Sequence, residues 1–161
     1  MKKTSQFLKI LGCLCILVSC CLFGYSQYLK NTQKSRIERL YKKTVQLIPD
    51  TYVSSSNANL DVDGYDINAV IMSNSLHLVI STSEELPHYK KGNIYIPETY
   101  FKDIVKLHTG DLVTIKSISG KTLKYQLEVI GYVDQLSKTK DLVIYTYTNS
   151  KYYCINAIKV S

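Results

Sequence analysis

Thr122-Leu123-Lys124-Tyr125-Gln126-Leu127-Glu128-Val129-Ile130-Gly131-Tyr132-Val133 is the stretch that decides the fold class of this chain. Leu123, Tyr125, Leu127 and Val129 alternate with Lys124, Gln126 and Glu128. That two-residue period belongs to a strand with one face in a core and the other in water. Gly131, near its end, is the expected place for a bulge. On both sides, β-branched and aromatic runs separated by turn formers predict further strands at 67–72, 76–81, 93–96, 111–117, 141–148 and 151–159. Within Glu98 to Leu107, the apolar Phe101, Ile104, Val105 and Leu107 predict a short helix. About seven short strands with one small helix predict a mainly β fold, a closed or nearly closed antiparallel barrel in place of a doubly wound α/β sheet.

Upstream of the barrel pattern the chain changes character. No charged residue occurs between Lys9 and Lys30, and Ile10 to Tyr25 is almost wholly apolar. This approaches the roughly 20 residues a helix needs to cross a bilayer. Residues 1–29 are therefore expected to be a membrane anchor. Two rival readings stand beside it: a secretory signal, and a lipoprotein leader in which Leu17-Val18-Ser19-Cys20 offers Cys20 for lipidation. From Gln33 to Ile48, Ile37, Leu40, Tyr41, Val45 and Ile48 recur at helical intervals, so residues 30–48 are expected to continue as a basic amphipathic stalk helix that Pro49 ends. Residues 49–64, with Ser54-Ser55-Ser56-Asn57 and Asp61-Val62-Asp63-Gly64, read as a linker into a domain at 65–161.

The net charge of +7 is unevenly placed. Residues 1–43 hold nine Lys/Arg and one acid, whereas residues 44–161 hold eleven Lys and twelve Asp/Glu. A near-neutral domain argues against nucleic acid as a partner. The cations from Lys30 to Lys43 (Lys30, Lys34, Arg36, Arg39, Lys42, Lys43) instead suit anionic lipid head groups. Because the heavier basic flank follows the apolar run, charge alone leaves the orientation open, with Lys2, Lys3 and Lys9 on the other side. Four of the five cysteines lie in the apolar run, so Cys154 has no partner for a disulfide within the domain.

Local chemistry is sparse. Phosphate-cradling glycine loops are missing from the sequence, and no cofactor is expected. Asp61-x-Asp63-Gly64-x-Asp66 has a passing likeness to a calcium loop, but the glycine is misplaced and Met72 stands where a closing Glu belongs, so it reads as a solvated turn. His77, His88 and His108 lack zinc spacing. His77 is expected to point outward from a strand, and His88 and His108 to be surface loop residues. Glu84-Glu85 reads as a solvated pair. Cys154, between Tyr153 and Ile155 in the last strand, reads as a small core residue.

Taken in order, the segments resemble the sortases, the membrane-anchored cysteine transpeptidases of Gram-positive cell surfaces. Asp66 to Met72 followed by Leu76 to Ile80 resembles the two opening strands of that barrel. Gly92-Asn93-Ile94-Tyr95-Ile96 resembles the G-N-x-V-I run, and Phe101 to Leu107 with Gly110-Asp111-Leu112-Val113 resembles F-x-x-L-x-x-L-x-x-G-D-x-V. Gly120 with Lys124 to Val129 matches the G-x-x-Y-x-Y-x-V strand pair, and Leu142 to Thr148 lies where T-L-x-T-C belongs. The resemblance implies an envelope barrel held outside the cell, with a peptide or envelope protein as partner. It departs from the family at the reactive positions: the family's His falls on Thr99, its Cys on Tyr147, and its Arg on Tyr152, with Lys151 beside it. Tyrosine and threonine cannot replace a thiolate, a proton shuttle and an oxyanion cation. A two-residue turn at Asn149-Ser150 would set Tyr147 across from Tyr152, and Cys154 across from Tyr145.

Three functions follow. The leading one is a degenerate, catalytically inactive sortase-like protein that acts by binding or in an accessory role. The second is an active transpeptidase using Cys154 with His88 or His108 as base. The third is an unrelated envelope β module or lipoprotein, which predicts a different topology.

Overall fold

The computed structural model describes residues 2–53, 59–136 and 140–160, with side chains throughout these except at residues 2–11 and 30. Ser54 to Asn57 of the expected linker lie outside the described residues. The chain divides into two compact units, one ending at Arg36 and the other beginning at Ile37.

The first unit is helical. Helix α1 covers Lys2–Leu47, and in its first half Leu14, Ile16, Leu17, Val18, Leu22 and Phe23 are all exposed. From Gly12 on, α1 is long and apolar enough to cross a membrane, a make-up that suits a span or a signal sequence.

The last turns of α1 belong to the second unit. Ile37, Leu40, Thr44 and Ile48 are buried there and Tyr41 is partly buried. Val45, expected on the apolar face, is exposed, and Thr44 takes the inward place. Ile37, Leu40, Tyr41, Thr44 and Ile48 follow the helical period of i, i+3, i+4, i+7 and i+11, which position 45 leaves by one step of about 100°.

Among the described residues nine strands follow. They are β1 (Leu60–Val62), β2 (Tyr65–Met72), β3 (His77–Ser81), β4 (His88–Lys90), β5 (Asn93–Tyr95), β6 (Leu112–Ser117), β7 (Thr122–Val133), β8 (Leu142–Thr148) and β9 (Lys151–Val160). A 3-10 turn at Glu98–Tyr100 leads into the one-turn helix α2, Phe101–Ile104. The strand order is β1-β2-β3-β4-β5-β8-β9-β7-β6, and β6 returns to β2. The result is a closed eight-stranded barrel with β1 as an extra strand on β2.

Three expectations need correction. The barrel is not wholly antiparallel: β3 pairs with β4, and β5 with β8, in parallel. The chain leaves β5 through the helical turns and the β6–β7 hairpin before it returns as β8, and that long crossover permits a parallel pairing. Two strands, β1 and β4, exceed the expected seven, each being three residues long and too short to show a period. Within the expected 49–64 linker, Asp63 (φ 55°) and Gly64 (φ 80°) form the left-handed centre of a hairpin turn between β1 and β2. Asp61 Oδ1 accepts the Gly64 N–H at 3.0 Å, and Asp63 pairs with Lys43 at 2.6 Å and Arg39 at 3.5 Å. Those aspartates thus serve a turn and an ion pair.

The bulge in β7 also lies elsewhere than expected. Leu127 pairs with Ala157 and Val129 with Asn156, so Glu128 is the extra residue, while Gly131 stays in register opposite Cys154. An extra residue reverses the faces beyond it. Val129 is therefore exposed, where the simple alternation placed it inside.

The barrel core holds Ile67, Val70, Ile71, Val79, Ile80, Ile94, Ile96, Val113, Leu127, Ile144 and Ile155, with Leu40 from α1. Gly120 (φ 85°) lets the backbone after α1 pass close by: a Cβ there would lie 2.6 Å from the Thr51 carbonyl oxygen.

Candidate functional site

Strands β8 and β9 are joined by the two-residue turn Asn149 (φ 50°) and Ser150 (φ 62°), both left-handed, as a hairpin of this length demands. The register pairs Tyr147 with Tyr152 and Tyr145 with Cys154. Directly paired residues share a sheet face. The pairs His88–Tyr95, Tyr95–Tyr145, Tyr145–Cys154 and Cys154–Gly131 therefore set one row across β4, β5, β8, β9 and β7. The row lies on the outer face, since Ile94, Ile144 and Ile155 alternate with it and enter the core.

The rings in the row touch. Centroids are 5.2 Å apart for His88–Tyr95, 5.4 Å for Tyr95–Tyr145, 6.0 Å for Tyr145–Tyr152 and 5.0 Å for Tyr147–Tyr152. Lys90 Nζ stands 5.5 Å from the Tyr95 ring centroid, a cation against an aromatic face. Tyr145 forms the floor at 7% exposure, while Tyr147 at the hairpin end is 47% exposed. Burial, then the neighbouring Tyr152 and Tyr95, pushes the Tyr145 hydroxyl above the ordinary tyrosine range. Burial and Glu98 do the same to Tyr95. Both hydroxyls stay protonated at neutral pH and can donate.

The positions that the sequence singled out are distributed as follows. Thr99 is exposed in the 3-10 turn, Tyr147 and Lys151 are exposed on the hairpin, and Tyr152 is half-buried between Tyr145 and Tyr147. One residue along from Thr99 and from Tyr147, Glu98 and Thr148 make contact: Thr148 Oγ1 donates to Glu98 Oε1 at 2.6 Å. This charge-assisted bond fastens the 3-10 turn to the end of β8. Cys20 is exposed on α1.

Cys154 is buried, as a small core residue would be, on the side of β9 that Tyr145 and Gly131 share, and its thiol donates to Asn156 Oδ1 at 3.5 Å. Burial pushes the thiol's pKa up, which disfavours the thiolate a nucleophile needs. His88 corrects its expectation as a surface loop residue. It opens β4, is 8% exposed, and its Nδ1 faces the Leu86 carbonyl oxygen at 2.9 Å, because the short β4–β5 ladder draws it onto the sheet. Two strands, β5 and β8, lie between β4 and β9. At sheet spacing that puts His88 on the order of 14 Å from Cys154. His108 is exposed beyond α2, with Nδ1 4.0 Å from Asp111, and His77 points outward and packs on Tyr41 at 5.0 Å.

Among the described residues no group of three His, Cys, Asp or Glu is placed to hold a metal ion. The outer-face row itself escaped the sequence reading beyond its β8–β9 half. Period two with the Asn149-Ser150 turn gives that half, but the parallel β5–β8 pairing that adds Tyr95 and His88 leaves no local signal.

No protein-family model and no curated protein matches this chain. Solved structures do. A lid mutant of sortase A from Corynebacterium diphtheriae matches at a TM-score of 0.53 and 17% identity, covering 81% of this chain and 95% of that one. Sortase A from the same organism matches at 0.52 and 17%, covering 83% and 85%. Sortase C1 of Streptococcus agalactiae, in a complex with MTSET, matches at 0.51 and 14%, covering 83% and 88%. The barrel has a sortase-like fold. It is not the different topology that the reading of an unrelated β module predicts.

Proposed function

We propose that this chain is a membrane-anchored, sortase-like protein of the cell envelope that has lost transpeptidation and acts by binding. The observation that carries the reading is the contact between Tyr147 and Tyr152, ring on ring at 5.0 Å, at the two positions where the resemblance expects a Cys and an Arg. On that correspondence two phenols stand in for a thiol and a guanidinium, and a phenol has neither the thiol's sulfur nor the guanidinium's charge. Cys154 is a poor substitute, being buried, raised in pKa and held by Asn156.

On this reading α1 is the anchor, and the likeness to sortases supports an extracytoplasmic side for the barrel. The basic cluster that follows the apolar run suits anionic head groups. Arg39 and Lys43, from the same cluster, are engaged by Asp63.

The test uses the full chain in detergent micelles with a panel of sorting-signal peptides and hydroxylamine as acceptor. No thiol-dependent cleavage is expected. Robust cleavage that disappears in Cys154→Ala would establish the active-enzyme reading instead.

A further inference from the structure

We propose that a row of lysines on the barrel rim, at the end where β8 begins and β9 finishes, binds a linear phosphodiester-linked polyanion without aromatic groups. Tyr147 and Tyr152 lie at the opposite ends of these two strands, so the inference goes beyond the loss of transpeptidation and does not depend on it.

Charges that nearly cancel along residues 44–161 are sorted when the barrel closes. Because β5 and β8 run parallel, with Ile94 beside Ile144, the β4–β5 turn at Lys91 lies at the same end as Lys140, which leads into β8. The pairs Leu142–Ala157 and Tyr125–Lys159 bring the finish of β9 to that end. Lys124 pairs with Val160, and the β6–β7 turn that holds Lys121 follows the pair Lys116–Thr122. Six lysines thus follow one another across β5, β8, β9, β7 and β6, which are neighbours in the sheet. All but Lys116 are exposed. The acidic side chains beside them are engaged: Glu128 with Lys140, Asp50 with Lys116, and Asp141 with the Lys159 N–H. Lys91, Lys121, Lys124 and Lys159 have no ion pair among the described residues.

The rest of this rim is acidic. There β2 begins where β6 and β3 finish, with Ala69 opposite Ser117 and Ile67 opposite Ser81. Asp61 and Asp66 of the β1–β2 hairpin, and Glu84 and Glu85 after β3, are exposed. A planar anionic surface such as a membrane would meet these carboxylates together with the lysines, whereas a chain can follow the lysine half alone.

Spacing and chemistry select the polymer. Four strand spacings of about 4.8 Å carry the row over roughly 19 Å. A single small anion would reach one or two solvated ammonium groups, each worth little. A chain of closely spaced phosphates meets them all and releases a counterion at each. Residues 44–161 contain no arginine, so no planar fork is offered to orient a carboxylate or a base edge. Between the lysines the outer face carries Thr114, Gln126, Ile158 and Val160, none with a ring on which a nucleobase could stack.

Fluorescence anisotropy of the full chain in nonionic detergent micelles tests the proposal, with labelled poly(glycerol phosphate) long enough to span the roughly 19 Å row as probe. Saturable binding is expected. Four phosphates neutralised on a flexible strand predict an affinity that falls about twenty-fold between about 50 and 150 mM salt. The triple variant Lys91→Gln, Lys124→Gln and Lys159→Gln changes exposed side chains only. It is expected to keep the circular dichroism of the unaltered chain, to bind about ten-fold or more weakly at low salt, and to lose most of the salt dependence. Lys34→Gln with Lys42→Gln, in the basic cluster of α1, is expected to leave binding unchanged. Absence of saturable binding by the unaltered chain overturns the proposal, as does unchanged affinity in the triple variant or a loss confined to the α1 pair. Tighter binding of an oligothymidylate of equal charge would assign the row to nucleic acid and overturn the choice of polymer. Competition by phosphatidylglycerol vesicles as strong, phosphate for phosphate, as by the free polymer would assign it to lipid and overturn it too.

Discussion

Strands β7 and β8 lie on either side of β9, yet they meet the solvent in opposite ways. In β7 the outer residues Lys124 and Gln126 are exposed while Tyr125 and Leu127 are buried, the ordinary pattern of a half-wet strand. In β8 every residue but Tyr147 is buried. Its inner face, Leu142, Ile144, Thr146 and Thr148, turns the same way as the core, and its outer face, Val143 and Tyr145, is closed off as well. Around Tyr145 the cover consists of neighbouring aromatic rings. One barrel can thus keep an ordinary wet wall on one side of β9 and an aromatic wall on the other, and the candidate site belongs to the second.

The largest expected effect comes from the two faces of β7. Leu127→Lys puts a charge into the core and should destabilise by more than about 3 kcal/mol, whereas Val129→Lys, beyond the bulge and facing water, should stay within about 0.5 kcal/mol. Thermal unfolding of the full chain in detergent measures both. Similar losses in the two variants would remove the bulge at Glu128 and restore simple alternation.

On β8 two buried threonines should respond with opposite signs. Thr146 Oγ1 is buried without a hydrogen-bond partner, so Thr146→Val is expected to stabilise by about 1 kcal/mol. Thr148→Val, which removes the donor to Glu98, is expected to cost about 1 kcal/mol. A loss of stability in Thr146→Val would mean that its hydroxyl has a partner in solution, such as a bound water.

The smallest effect concerns the thiol that β9 holds between the two walls. Because burial raises the pKa of Cys154, folding favours its protonated form. The matching stability is fully present below the unfolded thiol pKa and is lost as pH rises through the raised folded value. Alkylation of Cys154, followed by peptide mass spectrometry, should therefore reach its half-maximal rate at a higher pH than a free thiol does. A midpoint at or below the free-thiol value would reopen Cys154 as a nucleophile.

Much of the wet wall was legible along the chain. The alternation through Leu123 to Leu127 gave β7, and the dipeptide Asn149-Ser150 fixed the register of Tyr147 on Tyr152 and Tyr145 on Cys154. Local period failed where one residue changes the phase, as at Glu128, and where a strand is three residues long, as at β1 and β4. Thr44 and Val45 exchanged roles for a related reason: hydrophobicity ranks valine first, but the turn angle of α1 decides which of the two faces the barrel.

By itself the sequence determined the apolar helix, the β class and the charge asymmetry. Each of these is a property of neighbours in the chain, set by composition or by a period of two or of 3.6. Only the tertiary structure decided that β5 and β8 lie parallel, that His88 is drawn onto the sheet, and that rings from four strands touch in one arc. Those are contacts between segments tens of residues apart, made when a barrel closes, and closure leaves no mark on local order.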